Sequence, residues 1–178
     1  MRLVATIPLA PLAPPAASPN ARVLELFDAQ GDAIYRLALL MLGRPDAAED
    51  VVQETFLKVL QHVTAGGPLP NPRGWMFTVA AHACRDRQRA ARRWLPWLPE
   101  RDLRIAPDRP DAGDAMRPLL DALHHLSPRD RALVALRAEG LSYAEIAEAA
   151  GLRAASTGRI LGRALERLAR RLAPGDSR

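Results

Sequence analysis

The chain has 178 residues, of which 48% are hydrophobic and 4% aromatic, and it carries a formal net charge of +5 at pH 7. The low aromatic content, together with abundant Ala and Leu, favours helices over a β-sandwich or barrel, so we predict an all-α protein of one average or two small domains. The single cysteine, Cys84, excludes an intramolecular disulfide and leaves too few thiolates for a structural zinc site.

The first 21 residues are rich in proline and alanine. Although Arg2 precedes an apolar run, the prolines between residues 8 and 15 interrupt any helical core of a secretion signal. We therefore expect residues 1–21 to form a disordered tail. The best apolar candidate for a membrane span, residues 37–42, is far shorter than the roughly 20 residues that cross a bilayer. We expect a cytoplasmic protein without membrane insertion.

Two amphipathic helices are predicted next. The first has apolar residues at helical spacing over residues 26–41 and ends near Gly43. The second is predicted to begin with a capping-box-like pattern, because Glu49 follows Asp46 by three residues. We expect the apolar side of the second helix to consist of Val52, Phe56, Val59 and Val63.

A third helix is predicted after the loop formed by residues 64–71. Asn71 is a suitable N-cap and Pro72 is favoured in a first turn. The expected inner side carries Trp75, Val79 and Ala83. The end of the helix is rich in arginine, which can follow a phosphate backbone.

A long segment separates this region from the rest of the chain. Residues 95–114 mix four prolines with alternating Arg and Asp, a composition that cannot bury enough surface to fold by itself. We therefore predict a flexible linker between two helical domains, residues 22–94 and residues 115–173, and a short tail at residues 174–178.

The second domain has the pattern of a helix-turn-helix. Ser127 and Pro128 are predicted to start one helix, and Ser142 with Glu145 forms a capping box at the start of the next. Gly151 lies where a left-handed C-cap is expected. The last helix presents a basic face that we predict to contact DNA bases or phosphates, comprising Arg153, Ser156, Arg159, Arg163 and Arg167. The alternative is a solvated arginine face on an ordinary three-helix bundle.

Two blocks of sequence resemble a known family. Residues 126–131 (LSPRDR) and 140–147 (GLSYAEIA) resemble region 4 of bacterial sigma factors. Residues 46–56 (DAAEDVVQETF), followed by 75–77 (WMF) and 86–87 (DR), are similar to region 2. Because a short linker joins the two blocks without a third domain, the chain resembles the extracytoplasmic-function (ECF) group of the sigma-70 family.

The resemblance implies partners and roles. The second helix would dock on the clamp helices of the RNA polymerase β′ subunit through Asp50, Gln53, Glu54 and Leu57, which share one face. The second domain would lie near the β flap and read the minus-35 element of promoter DNA. The third helix would serve the minus-10 element through Trp75, His82, Arg85, Arg87, Arg89 and Arg92. The loop before it would help to capture an unstacked base. An anti-sigma factor is a further expected partner.

The sequence therefore predicts an alternative sigma factor and not an enzyme, with no catalytic residues, metal ligands or cofactor. Departures from the family pattern at Thr78, Ala81, His82, Gly158 and Ile160 leave the promoter sequence open. Two alternatives also stay open: a helix-turn-helix regulator that binds DNA unaided, and a helical adaptor that does not bind DNA.

Overall fold

The computed structural model describes residues 18–94 and 117–173, and within these residues it contains seven helices and no strand. The helices are α1 Pro19–Leu42, α2 Pro45–Thr64, α3 Pro72–Trp94, α4 Arg117–His124, α5 Pro128–Ala138, α6 Tyr143–Ala150 and α7 Ala154–Leu172. The prediction of an all-α protein is confirmed. The predicted linker, the C-terminal tail and the first 17 residues lie outside the described part.

The two ends of α1 follow from local sequence. Ser18 is the N-cap, and its hydroxyl accepts a hydrogen bond from the Ala21 amide at 3.2 Å. Gly43 ends the helix with a φ of 72°, a left-handed conformation that a residue without a Cβ adopts readily. The helix begins at Pro19, three residues before the predicted domain boundary.

The predicted capping box at the start of α2 is wrong. The helix begins at Pro45, and its N-cap Arg44 makes no side-chain capping bond. Pro45 presets the backbone for the first helical position and has no N–H to satisfy, so the start moves upstream of Asp46. The Asp46 carboxylate instead forms an ion pair with the Arg44 guanidinium.

The start of α3 is as predicted, but the buried side of the helix is wider than the predicted stripe of Trp75, Val79 and Ala83. The Asn71 side-chain oxygen accepts a hydrogen bond from the Gly74 amide at 3.0 Å. The fully buried side chains include Met76 and Phe77, whereas Trp75 is half-buried. The buried side is wide because α3 packs against α1, α2 and α6, so more than one stripe of the helix is covered.

The helix-turn-helix prediction for the second domain is confirmed. Ser127 caps α5, and its hydroxyl accepts a hydrogen bond from the Asp130 amide at 3.1 Å. Ser142 and Glu145 form a reciprocal capping box at the start of α6. Gly151 has a φ of 65° and turns the chain into α7.

The two predicted domains pack against each other. Helix α5 lies against α1, and α6 lies against α3, so buried residues from both halves belong to one hydrophobic cluster. The sequence predicted two domains joined by a flexible linker and did not indicate this contact. The packing brings the first helix of the helix-turn-helix next to the arginine-rich α3.

Candidate nucleic-acid and protein interfaces

The exposed side of α2 carries the residues predicted for protein docking. Asp50 and Gln53 are exposed, and Leu57 has 58% of its surface accessible to solvent. The opposite side is buried through Val51, Thr55, Phe56 and Val59. The face is therefore acidic with one apolar side chain at its end, a combination that suits a basic protein partner, because charge steers the encounter and an apolar anchor holds it.

Glu54 differs from its neighbours on that face. Its carboxylate is half-buried and accepts hydrogen bonds from Lys58 Nζ at 2.7 Å and from Arg87 Nη1 at 2.8 Å. The bonds from Lys58 and then Arg87 hold the pKa of the Glu54 carboxyl below its ordinary value. Part of the acidity predicted for docking is thus already neutralised within the chain.

The basic end of α3 is only partly free. Arg87 is engaged by Glu54, and Arg89 forms an ion pair with Asp86 one turn away. Arg85 is half-buried, and burial lowers the pKa of its guanidinium. His82 is largely exposed, and the partial loss of solvent around its imidazole, followed by the nearby Arg85 charge, lowers the imidazole pKa. The side chain of Arg92, predicted for the same surface, lies outside the described atoms.

The loop before α3 is anchored by a residue that the sequence did not single out. The His62 ring lies 5.3 Å from the Trp75 ring, centroid to centroid, and its Nε2 is 3.1 Å from the Pro68 carbonyl oxygen. A methyl group on Gly67 would lie 2.4 Å from His62 Nε2, so the chain passes directly over the imidazole. Gly66 and Gly67 directly follow the helix, and this pair of glycines is the feature of the sequence that could have indicated such a close approach.

The N-terminal half of α7 exposes two of the arginines that the sequence predicted for DNA contact. Arg159 and Arg163 are exposed, opposite the buried Thr157, Leu161 and Ala164. Ser156 is half-buried and its hydroxyl donates to the Arg153 carbonyl at 2.9 Å, so that hydroxyl is already bound to the backbone. Arg153 itself is the N-cap and has an exposed side chain.

Arg167 lies in a different environment from Arg159 and Arg163. Its Nη1 is 2.7 Å from Asp130 Oδ2, and the Asp130 side chain is only 10% exposed. The pair ties α7 to α5. It also lines a cavity of about 660 Å³ whose basic wall includes Arg129, Arg170 and Arg171. Arg167 is therefore engaged by an acidic partner within the chain, although 48% of its side chain stays exposed.

Three further findings concern the part of the chain that the structure describes. Within residues 18–94 and 117–173, no helix is long and apolar enough to cross a bilayer. The same residues hold no cluster of three or more His, Cys, Asp or Glu side chains that could bind a metal ion. Cys84 is buried, and burial raises the pKa of its thiol to about 12.

The chain matches two family descriptions that together cover most of the sequence. Residues 26–94 match sigma-70 region 2, and residues 116–168 match sigma-70 region 4. It is 35% identical to the ECF RNA polymerase sigma factor SigL of Mycobacterium tuberculosis over 144 residues, covering 77% of this chain and 81% of SigL. It is 36% identical to the ECF RNA polymerase sigma factor SigF of Caulobacter vibrioides, covering 76% of each chain.

Solved structures show the same fold at lower identity. The sigma factor RpoE of Bartonella quintana, in complex with the anti-sigma factor NepR, superimposes with a TM-score of 0.69 at 23% identity, covering 88% of this chain and 99% of RpoE. CnrH, in complex with the cytosolic domain of CnrY, gives a TM-score of 0.61 at 23% identity, covering 86% of this chain and 88% of CnrH.

Proposed function

The chain belongs to the ECF group of the sigma-70 family, and on this basis we propose that it is an alternative sigma factor that directs core RNA polymerase to specific promoters. The observation that carries the proposal is the presence of two different surfaces in one chain. An acidic face with an exposed leucine lies on α2, and an exposed arginine face lies on the second helix of a helix-turn-helix. A protein that binds both polymerase and promoter DNA needs both surfaces.

The proposed roles follow the two regions. Residues 22–94 would bind the β′ clamp helices and act on the minus-10 element, and residues 115–173 would lie near the β flap and read the minus-35 element. For the β′ contact we propose Asp50, Gln53 and Leu57 as the principal residues, since Glu54 is shared with Lys58 and Arg87. Among the minus-35 residues, Arg159 and Arg163 are favoured over Arg167, because the Arg167 guanidinium is paired with Asp130.

The proposed activity has consequences for location and chemistry. Bacterial RNA polymerase acts in the cytoplasm, so the protein would act there as well. Polymerisation would be performed by the core enzyme, and this chain would contribute binding and strand opening without a catalytic centre of its own. An anti-sigma factor, such as the partner bound to the similar RpoE, is a further proposed partner.

In vitro transcription tests the proposal. Genomic fragments are transcribed by core RNA polymerase with and without the purified chain, and transcript ends are mapped. New, reproducible start sites that depend on the chain are expected. If core polymerase gains no start site while the chain alone footprints a duplex at physiological salt, the protein is a DNA-binding regulator that works without polymerase. Absence of any salt-dependent DNA binding would favour the adaptor.

A further inference from the structure

A groove between α1 and α2 is open to solvent. It has a volume of about 610 Å³, and its floor and walls include Phe27, Gly31, Tyr35 and Val52. Phe27 is 47% exposed, and its ring packs edge-on against Phe56 with 4.9 Å between the ring centroids. The volume lies within the range of known ligand pockets, which are lined mainly by apolar and aromatic side chains. The α1–α2 groove therefore has the size and the lining to hold an apolar group.

Gly31 in the middle of α1 keeps this groove deep. A glycine inside a helix costs about 1 kcal/mol relative to alanine. The nearest atoms to a Cβ on Gly31 would belong to the Phe27 ring, at 3.7 to 3.8 Å, which is an ordinary contact distance. Packing within the protein therefore does not require a glycine here. Because Gly31 lines the groove, a larger side chain at this position would extend into the space that a bound group needs.

The rim of the groove is acidic. Asp28, Asp32 and Glu49 are exposed and line it. Among the described residues, neither Asp28 nor Glu49 forms an ion pair, and the Asp32 charge acts on the nearby Arg36 guanidinium. Since like charges repel, the rim opposes the approach of an acidic segment. The groove therefore suits a segment that is apolar and free of negative charge.

The N-terminal segment of the same chain has such a sequence. It lies outside the described residues, and residues 8–14 read PLAPLAP. Prolines at every third position favour a polyproline II helix, which has three residues per turn. In that helix the prolines form one edge, Leu9 and Leu12 form a second, and the two alanines form a third. Two edges are thus bulky and apolar. Residues 1–17 contain no acidic side chain, and their one basic side chain is Arg2.

The segment is also long enough to reach the groove. It joins the described chain at Ser18, the N-cap of α1. Along the helix axis, Phe27 lies about 14 Å and Tyr35 about 26 Å from Ser18. An extended chain from Leu12 to Ser18 spans up to about 20 Å, and one from Leu9 to Ser18 spans up to about 30 Å. A chain that runs back along α1 therefore brings Leu12 to Phe27 and Leu9 to Tyr35.

We propose that residues 8–14 bind the α1–α2 groove of the same chain as a polyproline II helix, with their proline and leucine edges against Phe27, Tyr35 and Val52. Aromatic-lined grooves bind such segments well, because a preformed polyproline helix loses little entropy on binding. Gln53 also lines the groove and belongs to the face proposed for polymerase. The bound segment therefore competes with polymerase for α2. This competition rests on the proposed function, whereas the binding of the segment does not.

Paramagnetic broadening of amide signals in the full chain tests the contact. A nitroxide is attached to Thr6→Cys, just before the proline repeat, and the buried Cys84 stays unlabelled. We expect selective broadening at Tyr35, Glu49 and Val52. Broadening spread evenly over the surface, or none at these positions, would overturn the proposal. Nitroxide-labelled chain is also mixed with isotope-labelled chain that has no nitroxide. Selective broadening in that mixture would show that the segment binds a second copy, and would overturn binding within one chain.

Leu9→Glu and Ala10→Glu form a matched pair within the segment. Both add one negative charge, but on different edges of the polyproline helix. Leu9→Glu places a carboxylate against the acidic rim and should reduce the broadening by about threefold or more, because adjacent like charges are costly. Ala10→Glu faces solvent and should leave the broadening unchanged. Equal effects of the two variants would overturn the proposed orientation of the segment.

A second pair changes the groove itself. Gly31→Leu fills the space beside Phe27 and should reduce the broadening as Leu9→Glu does. Ala29→Leu adds the same side chain at an exposed position of α1 that does not line the groove, and should have no effect. Broadening that survives Gly31→Leu would mean that the segment binds elsewhere.

Affinity for core RNA polymerase tests the competition separately. Leu9→Glu is expected to bind core polymerase about threefold more tightly than Ala10→Glu, because the apparent affinity is reduced by the fraction of chains whose groove is occupied. Equal affinities, with broadening reduced only in Leu9→Glu, would overturn the competition and leave the bound segment established. A chain that supports no polymerase-dependent start site would refute the proposed function, and the broadening measured without polymerase would still decide whether the segment occupies the groove.

Discussion

Glu54 on α2 and Arg87 on α3 form an ion pair, with 2.8 Å between Oε2 and Nη1, although the sequence placed them on two different binding surfaces. Lys58 binds the other carboxylate oxygen of Glu54 at 2.7 Å. A residue proposed for polymerase docking is therefore bonded to one proposed for DNA contact. Substituting either residue changes both surfaces. A test of polymerase docking alone must therefore substitute another side chain on the same face of α2, such as Asp50.

Asp50→Lys tests the docking face without disturbing that ion pair. Asp50 is exposed, and its replacement should spare folding while opposing the approach of a basic partner. We expect the dissociation constant for core RNA polymerase to rise roughly tenfold, which corresponds to about 1.4 kcal/mol. Fluorescence anisotropy with labelled chain and purified core enzyme measures the change.

Glu25→Lys is the matched control for this experiment. It makes the same change of charge on an exposed position of α1, in the same half of the molecule. Equal weakening by both variants would indicate a general charge effect. If Asp50→Lys binds as tightly as the unmodified chain, α2 does not dock through this face.

The Glu54 ion pairs predict a pH-dependent stability. Because Lys58 and Arg87 lower the pKa of the Glu54 carboxyl, its ionised form stabilises the fold above its ordinary pKa of 4.5. This stabilisation is lost as the pH falls through the lowered pKa. The difference in unfolding free energy between the unmodified chain and Glu54→Gln should be about 0.5 to 1 kcal/mol near pH 7, since the pair is partly exposed, and should shrink toward pH 3.

Urea denaturation at several pH values measures that difference. Asp50→Gln is the control, because Asp50 is exposed on the same helix. A constant difference for Glu54→Gln from pH 7 to pH 3 would show that the loss comes from packing and not from the charge.

Gly67→Ala tests the contact between the loop and His62. The added methyl group would lie 2.4 to 2.7 Å from three atoms of the imidazole, so the ring must leave its position beside Trp75. We expect the free energy of unfolding to fall by only roughly 1 kcal/mol, because the ring can turn away. Strand opening at the promoter should decrease as well, because the loop is displaced. Permanganate footprinting of promoter complexes measures the opening.

The same substitution in a His62→Ala background isolates the cause. His62→Ala removes the three atoms nearest to the added methyl group, so Gly67→Ala should then have little additional effect. Two fully additive losses would mean that the glycine acts through its backbone freedom and that His62 does not position the loop.

Capping signals and periodicity predicted much of this structure. Asn71, Ser127 and the Ser142–Glu145 box act through bonds within three residues, so their geometry is encoded locally. The predicted start of α2 is wrong, and the helix begins one residue earlier, at Pro45, because the backbone preference of that proline outweighs the capping pattern at Asp46.

Contacts between distant residues could not be predicted in the same way. Arg36 and Glu139 are 103 positions apart, and nothing in their local sequence indicates that they meet. Arg167 follows the helical spacing of Arg159 and Arg163, but its pairing with Asp130 depends on how α7 packs against α5. Periodicity assigns a face to each arginine, whereas packing decides which of them stays available for DNA.

Arg163→Ala and Arg167→Ala should therefore have different effects. Arg163 is exposed, and its loss should weaken promoter binding by roughly 1 to 3 kcal/mol if it contacts a base, with little change in stability. Arg167→Ala removes the partner of the buried Asp130 carboxylate and should lower stability by about 1 to 3 kcal/mol. Thermal melts and binding to a set of mutated promoters separate the two outcomes. Equal losses of affinity on every sequence would assign Arg163 to a phosphate.

The glycines of α7 provide a test of how closely this helix approaches DNA. A Cβ added at Gly158 or Gly162 would have no other heavy atom within 4 Å, apart from its own helix and chain neighbours, so neither glycine is required by packing within the protein. Each costs the helix about 1 kcal/mol relative to alanine.

Gly158→Ala and Gly162→Ala should therefore stabilise the free chain. If the α7 backbone lies against DNA, the same variants should bind the promoter less tightly, because the new methyl groups would meet the duplex. Raised stability with unchanged promoter affinity would show that DNA contacts α7 only through its long side chains.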